Sequence, residues 1–330
     1  MLSTDITVLK QVHQWLAEGY SVWLTTVLKT YGSSPRQPGA MCAIRDDGAL
    51  IGSVSGGCIE DDLRSKALEG LLPNDEIVFL TYGESLNDRD RFRLPCGGSL
   101  RLSVEKVTQP DWPLKILEAI EQRKQVKRRL QLNNRQSIVE PANNADKIVE
   151  EYSDEISFVY GPRARLLLIG AGETSSYLAK MASALDYQVY IAEPREEMQL
   201  TWRAEDGELL AMMPDDAVVK LQPDQNTSII TLTHDPKLDD MALLEALKSD
   251  AFYIGALGSL RTNAKRRERL ALFDLTASQI ARLHGPVGLN IGSKTPAEIA
   301  VSILAELIDL KHIYNKQQSN PATMRVVSNG

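Results

Sequence analysis

Two cysteines in this chain stand against paired glycines. "GSVSGGCIEDD" (52–62) places Cys58 after Gly56 and Gly57, and "LPCGGSL" (94–100) places Cys96 before Gly97 and Gly98. A thiolate is a nucleophile and a soft ligand suited to a soft or sulfur-rich metal centre. A cysteine can also carry sulfur as a persulfide. Paired glycines clear side chains from around the sulfur and let a bulky ligand approach. Cys58 opens a helix, whose N-terminus stabilises a thiolate, while Glu60, Asp61 and Asp62 act against that shift. Cys96 lies in a turn opening a strand. The ordinary alternative for any single cysteine is a buried structural thiol, and Cys42, inside a strand, reads that way. No histidine falls near Cys58 or Cys96, so no Cys–His nucleophile pair is suggested.

A second pattern is "LLLIGAGETSSYLAKMASALDYQVYIAEPR", in the order strand, glycine turn, helix, strand. Gly170 permits the tight turn and Gly172 lets backbone amides approach a pyrophosphate at the helix N-terminus. Ser175 stands where the third glycine of the pattern falls. Glu193, at the end of the next strand, is placed to bond a ribose hydroxyl, and Arg195 to receive a phosphate. The alternative is a domain of this shape whose loop binds nothing. Further candidates follow at strand ends. His234 and Asp235 follow "SIITLT", where Asp235 can equally cap the next helix. Gly255, Gly258 and Ser259 form a loop able to hold an anion, with Arg261 and Lys265 beyond it. Arg266, Arg267 and Arg269 read as a solvated helix face. His284 lies in a glycine- and proline-rich connector.

These residues need a scaffold, and the chain supplies two styles of one. Residues 1–160 mix helices with short strands. Residues 6–18 read as an amphipathic helix with Ile6, Leu9, Val12 and Leu16 on one side, and Ile59, Leu63 and Ala67 recur every four residues after Cys58. Residues 125 to about 160 are polar and Asn-rich, with short stretches that can form strands. Residues 161–315 alternate apolar runs with helical stretches, which implies a parallel sheet covered on both faces. Residues 316–330 form a polar tail expected to be disordered. The fold class is therefore α/β: an N-terminal mixed α+β domain followed by a Rossmann-like domain with a parallel sheet.

The bulk numbers bound the function. A length of 330 residues with 43% apolar and 25% charged residues is that of a two-domain globular chain. A net charge of -7 argues against general nucleic-acid binding. No run is long enough to span a membrane, no signal peptide is read, and three cysteines make no disulfide framework. The cytoplasm is the expected compartment. Four histidines without clustering make a local zinc site unexpected.

Taken together, "GSVSGGCIE", "LPCGGSL", the Gly-Ala-Gly loop, "THD", "YIGALGS" and "RLHGPVGLNIGSKTPAEIAVSILAE" resemble the xanthine dehydrogenase accessory factor family (XdhC/CoxI). The resemblance runs from about Val22 to about Leu310. It implies an accessory factor that binds a molybdopterin-type molybdenum cofactor, in simple or dinucleotide form. Such a factor supports sulfuration of the cofactor with a cysteine desulfurase and delivers it to an apo molybdenum hydroxylase. It implies a homodimer and a chaperone without turnover of its own. Carried over, Cys58 and Cys96 become candidates for contact with the molybdenum or its sulfur, and the loop from Gly170 to Ser175 for a phosphate. Glu173 departs from the histidine, and Glu193 from the aspartate, of the family pattern. The alternatives are an NAD(P)-dependent oxidoreductase with His234 or His284 as proton donor, and a sulfur-transfer protein using Cys58 alone.

Overall fold

The run VWLTTVLKTY, apolar and rich in β-branched residues, forms the long strand β1 (Val22–Tyr31). In this computed structural model, which describes residues 1–32, 36–83, 99–143 and 146–319, the chain divides into two compact units, Met1–Pro162 and Arg163–Gly330. Cys96, Gly97 and Gly98 lie outside the described residues.

In the first unit, β1 is the centre of a five-stranded antiparallel sheet ordered β3-β2-β1-β5-β4. Its other strands are β2 (Met41–Arg45), β3 (Leu50–Gly52), β4 (Val78–Tyr82) and β5 (Ser99–Lys106). An Asp-Gly turn joins β2 to β3, with Gly48 at φ +82°. Helix α2 (Cys58–Leu68) covers one face and buries Ile59, Leu63 and Ala67, the stripe its four-residue spacing foretold. Helices α1 (Ser3–Ala17) and α3 (Asp111–Glu121) share the other core. The buried stripe of α1 is Val8, Leu9, Val12 and Trp15, while Ile6 and Leu16 lie at its margin.

The polar stretch after residue 125 is more regular than its composition suggests. It forms a four-stranded sheet ordered β7-β6-β9-β8. The strands are β6 (Val126–Gln131), β7 (Ser137–Pro141), β8 (Val149–Glu151) and β9 (Glu155–Tyr160). Charge enters this core as a matched pair. Arg128 donates to both Glu105 oxygens at 2.8 and 2.6 Å, and its guanidinium stacks 3.6 Å from the Trp112 ring centre. A bidentate, stacked arginine is the form of buried charge that proteins tolerate.

The second unit is built on a six-stranded parallel sheet ordered β12-β11-β10-β13-β14-β15. Its strands are β10 (Arg165–Ile169), β11 (Gln188–Ala192), β12 (Glu208–Leu210), β13 (Thr227–Thr231), β14 (Tyr253–Ala256) and β15 (Leu283–His284). All of β10, β13 and β14 is buried, as strands covered on both faces must be. Helices α4 (Glu173–Ala184) and α10 (Pro296–Ser319) pack on one face; α6 (Pro214–Leu221) and α7 (Pro236–Ala246) pack on the other. The short α5 (Glu196–Gln199), α8 (Leu260–Leu270) and α9 (Ala277–Ala281) are further helices of this unit. Helix α10 runs on to Ser319, so residues 316–319, read as tail, are helical. The order reverses at β10, which has β11 on one side and β13 on the other. In such sheets the crevice beyond the carboxyl ends of the two strands at the reversal is where ligands are taken. No helix among the described residues is long and apolar enough to cross a membrane.

Candidate functional site

The Gly-Gly-Cys loop is wrapped around a carboxylate of its own. Glu60 lies in the first turn of α2 and is 6% exposed. Its Oε1 accepts from the Ser53 hydroxyl (2.7 Å) and from the amides of Val54 (2.7 Å), Ser55 (2.8 Å) and Gly56 (3.2 Å). Its Oε2 accepts from the Gly57 amide (2.8 Å) and the Ser55 hydroxyl. Burial alone would push this carboxyl up; the hydroxyls of Ser55 and Ser53 and the loop amides outweigh it and hold it at about 2. Convergent amides of this kind form an anion cradle, and here the cradle is filled from within. Glu60, read from sequence only as a charge opposing a thiolate, shapes the loop that ends at Cys58. The clue was the spacing Gly57-x-x-Glu60, which matches the acid of a helix capping box.

Gly56 and Gly57 adopt φ +100° and +148°, and a Cβ on either would meet nothing within 4 Å. Both glycines immediately precede Cys58, the first residue of α2. Cys42 is fully buried in β2, and burial followed by the charge of Glu60 pushes its thiol well above the ordinary range. It is a packing residue without thiolate character.

In the second unit the two glycines of the dinucleotide-type loop have different roles. Gly170 sits at φ +98°, and a Cβ there would lie 2.7 Å from Thr233 Cγ2 in the loop after β13. Gly172 has an ordinary φ of -82°, and a Cβ there would meet nothing within 4 Å. Helix α4 starts at the next residue with no side chain capping it. The protein itself therefore demands the first glycine, and the second leaves the helix N-terminus clear of side chains. Ser175 is fully buried and donates to the Gly170 carbonyl at 2.6 Å, closing the turn. We expect Gly170→Ala to destabilise this unit by about 2 kcal/mol, and Gly172→Ala to leave it within about 0.5 kcal/mol, by urea unfolding. Equal losses would count against the assignment.

Glu193 is fully buried at the end of β11. Its carboxylate accepts from the Ala171 amide at 3.0 Å and from the Arg195 guanidinium at 2.8 Å on each oxygen. Burial would raise this carboxyl, but Arg195 and the amides hold it below its usual value. The acid is thus spent on clamping the glycine loop. Across the crevice, Asp235 caps α7 by accepting from the Lys237 amide at 2.9 Å, and His234 is exposed beside it. Thr233 donates its hydroxyl to Asp239 at 2.8 Å.

Two readings of the following segment change. Gly255 lies inside β14, and a Cβ there would lie 2.6 Å from Val287 and 2.7 Å from the Tyr253 ring. It makes room for protein, while Gly258, at φ +136°, is the glycine of the loop. Arg266, Arg267 and Arg269 of α8 each hold a partner within the fold. Arg266 is 3% exposed and donates to Asp239 at 2.8 Å, Arg267 donates to the Leu283 carbonyl at 2.8 Å, and Arg269 grips Asp240 with two bonds. Asp239 and Arg266 stand 27 positions apart, with no signal in the sequence to join them. Finally, His284 Nδ1 lies 2.9 Å from Glu306 on α10. Among the described residues there is no cluster of three or more His, Cys, Asp or Glu able to hold a metal ion.

A parallel sheet with a glycine turn, an uncapped helix and a crevice at the strand reversal defines a Rossmann-type unit, here preceded by a unit bearing a Gly-Gly-Cys loop. Family models agree on both parts: the XdhC and CoxI family matches residues 15–83, and the XdhC Rossmann domain matches residues 166–307. The chain belongs to the XdhC/CoxI family. It is 28% identical over 305 residues to a protein of Escherichia coli strain K12 named molybdenum cofactor insertion chaperone PaoD, spanning 92% of this chain and 88% of that one. It is 25% identical over 322 residues to a Bacillus subtilis strain 168 protein named as a probable xanthine dehydrogenase subunit, spanning 87% of this chain and 92% of that one. A crystal structure described as a xanthine dehydrogenase from Bacillus halodurans superposes with a TM-score of 0.72 at 24% identity, covering 96% of this chain and 98% of that one, a likeness of fold.

Proposed function

We propose that this protein is a maturation factor for a molybdenum hydroxylase, with molybdopterin-type cofactor as its cargo. It binds the cofactor, supports its sulfuration with a cysteine desulfurase, and delivers it to the apo-enzyme of xanthine dehydrogenase type. The observation that carries the reading is the Gly172 turn, clear of side chains before an uncapped helix, in a chain similar over nine-tenths of its length to a protein named as a molybdenum cofactor insertion chaperone. The amides after Gly172 would hold a phosphate of the cargo. Cys58, at the open Gly56–Gly57 turn, would meet its molybdenum or terminal sulfur, with Cys96 as the second candidate thiol. In this reading residues 1–160 are the cysteine-bearing domain and residues 161–315 the phosphate-holding one, and the protein works as a homodimer in the cytoplasm. The NAD(P) alternative needs an acid free to bond a ribose, and Glu193 is already engaged by Ala171 and Arg195.

The test is mass spectrometry and metal analysis of protein purified from cells that make molybdopterin. Wild type is expected to carry pterin and molybdenum, and Cys58→Ala to carry several-fold less molybdenum. A wild-type protein without pterin, together with an active hydroxylase in cells lacking this gene, would overturn the reading.

A further inference from the structure

The segment RLHGPVGLNIGSKTPAEIAVSILAE is organised by one carboxylate. Glu306 Oε2 accepts from the Tyr253 hydroxyl at 2.6 Å and from the Gly288 amide at 2.6 Å, while Oε1 lies 2.9 Å from His284 Nδ1. Tyr253 can lie along its own strand because Gly255 has no side chain. The Tyr253 and His284 rings pack at 4.5 Å between centres. Ser302 also pins the connector, donating to the Leu289 carbonyl at 2.7 Å.

The bonds from Tyr253, Gly288 and Ser302 lock the connector onto α10 without any help from the imidazole. A residue needed only as a fourth peg has no reason to be ionisable or accessible. His284 is both: its side chain is 37% exposed, and its Nε2 has no partner among the described residues. An imidazole whose Nδ1–H is fixed on a carboxylate gives or takes its proton at Nε2. His284 ends β15, at the carboxyl edge of the sheet where parallel folds take their ligands. From β10 to β15 the order runs through β13 and β14, three strand spacings of about 4.8 Å or roughly 14 Å. That separation suits the two ends of one extended, phosphate-bearing ligand.

We propose that His284, oriented by Glu306, is a second ligand-binding residue of this unit, donating from Nε2 to an anionic oxygen at the end of the cargo remote from Gly172. The assignment rests on the cofactor reading above and adds the residue that receives the far end. The Nε2 proton is drawn from solvent when the ligand binds and returned to it when the ligand leaves. Among the described residues, the ring contacts Glu306 and Tyr253, and Arg267 on α8 donates to the carbonyl of the neighbouring Leu283. Glu306 brings a negative charge to the ring, and Arg267 is engaged with the carbonyls of Leu283 and Gly285.

The experiment compares full-length wild type with His284→Gln, purified from cells making molybdopterin and dialysed at pH 6 and pH 8. Glutamine keeps an N–H of similar reach but cannot gain a charge, and the bonds of Glu306 to Tyr253 and Gly288 remain. Thermal unfolding midpoints within a few degrees of each other will establish that both chains are folded. Wild type is expected to retain more pterin at pH 6 than at pH 8. His284→Gln should retain roughly tenfold less at pH 6, the weight of one hydrogen bond to a charged group, with no dependence on pH. Equal retention and an equal pH slope in the two proteins would overturn the proposal. If wild type carries no pterin at either pH, the cofactor reading fails. His284 is then judged by following its imidazole 15N signals during titration with pyrophosphate. A shift toward the protonated form supports the contact, and no shift at millimolar pyrophosphate overturns it.

Discussion

Replacing Glu60 by alanine is expected to destabilise the first unit by about 3 kcal/mol at pH 7, with the loss roughly halved at pH 3. The carboxyl titrates near 4.5 when free and at about 2 in the fold. A group held down by folding contributes its full stabilisation above its free value. That contribution fades as pH falls from about 4.5 toward 2. At about 1.4 kcal/mol per pH unit, the difference amounts to about 3 kcal/mol. Glu60→Gln should recover little of it, because its amide group would turn a donor toward the donors of Gly57 and Ser55. Urea unfolding followed by tryptophan fluorescence suits the test, since Trp15, Trp23 and Trp112 lie in this unit and Trp202 alone in the other. A loss under about 1 kcal/mol, or a gap that does not narrow in acid, would mean that the loop does not depend on its internal anion.

The consequence reaches the chemistry. With the amides of residues 54–57 already satisfied by Glu60, the Gly-Gly turn has no oxyanion cradle left to offer a ligand. In the second unit Glu193 takes, of the glycine-loop amides, that of Ala171, along with the Arg195 amide, and Gly172 stays clear of side chains. Each glycine loop is thus set by a carboxylate before any ligand arrives. Preorganisation of this kind removes part of the ordering cost that binding otherwise carries.

Legibility in the sequence followed the distance between partners. The α2 stripe, the parallel sheet and the turn at Gly170 show as local periods and turn residues, because helix and strand repeats act over a few positions. The hubs do not. Ala171 meets Glu193 across 22 positions and Tyr253 meets Glu306 across 53, and only the folded packing of sheet and helices brings them together. Gly255 misled for a related reason: a glycine that admits a ligand and one that admits a neighbouring ring look alike until the neighbour is seen. The stretch after residue 125 hid its sheet because Arg128, a charged residue, occupies a core position that only its distant partner Glu105 makes tolerable. Arg266 and Arg269 of α8 look solvated in the sequence for the same reason, their acids Asp239 and Asp240 lying on α7.

Arg266→Ala is the substitution from which we expect the largest loss in the second unit, about 3–5 kcal/mol, the usual cost of removing one partner from a buried ion pair. Arg266 donates to Asp239 at 2.8 Å, to Asn263 at 2.6 Å and to the Leu257 carbonyl at 3.0 Å, so it joins α7, α8 and the loop after β14. Burial already pushes the Asp239 carboxyl up, with the Thr233 hydrogen bond and the Arg266 charge acting against it. Without the guanidinium the carboxyl rises further and takes up a proton. An acid raised by folding is best tolerated below its free value, and stability falls as pH climbs from about 3.8 through the folded value. The loss in Arg266→Ala should therefore be smaller at pH 4 than at pH 8. It should also slacken Thr233, which Asp239 holds against Gly170 at the strand reversal, and so weaken pterin retention even where the chain remains folded. Unfolding midpoints in urea at the two pH values decide the matter. A variant within about 1 kcal/mol of wild type at both would show that the pair carries little of the fold, whereas a loss independent of pH would show that Asp239 stays ionised by finding another partner.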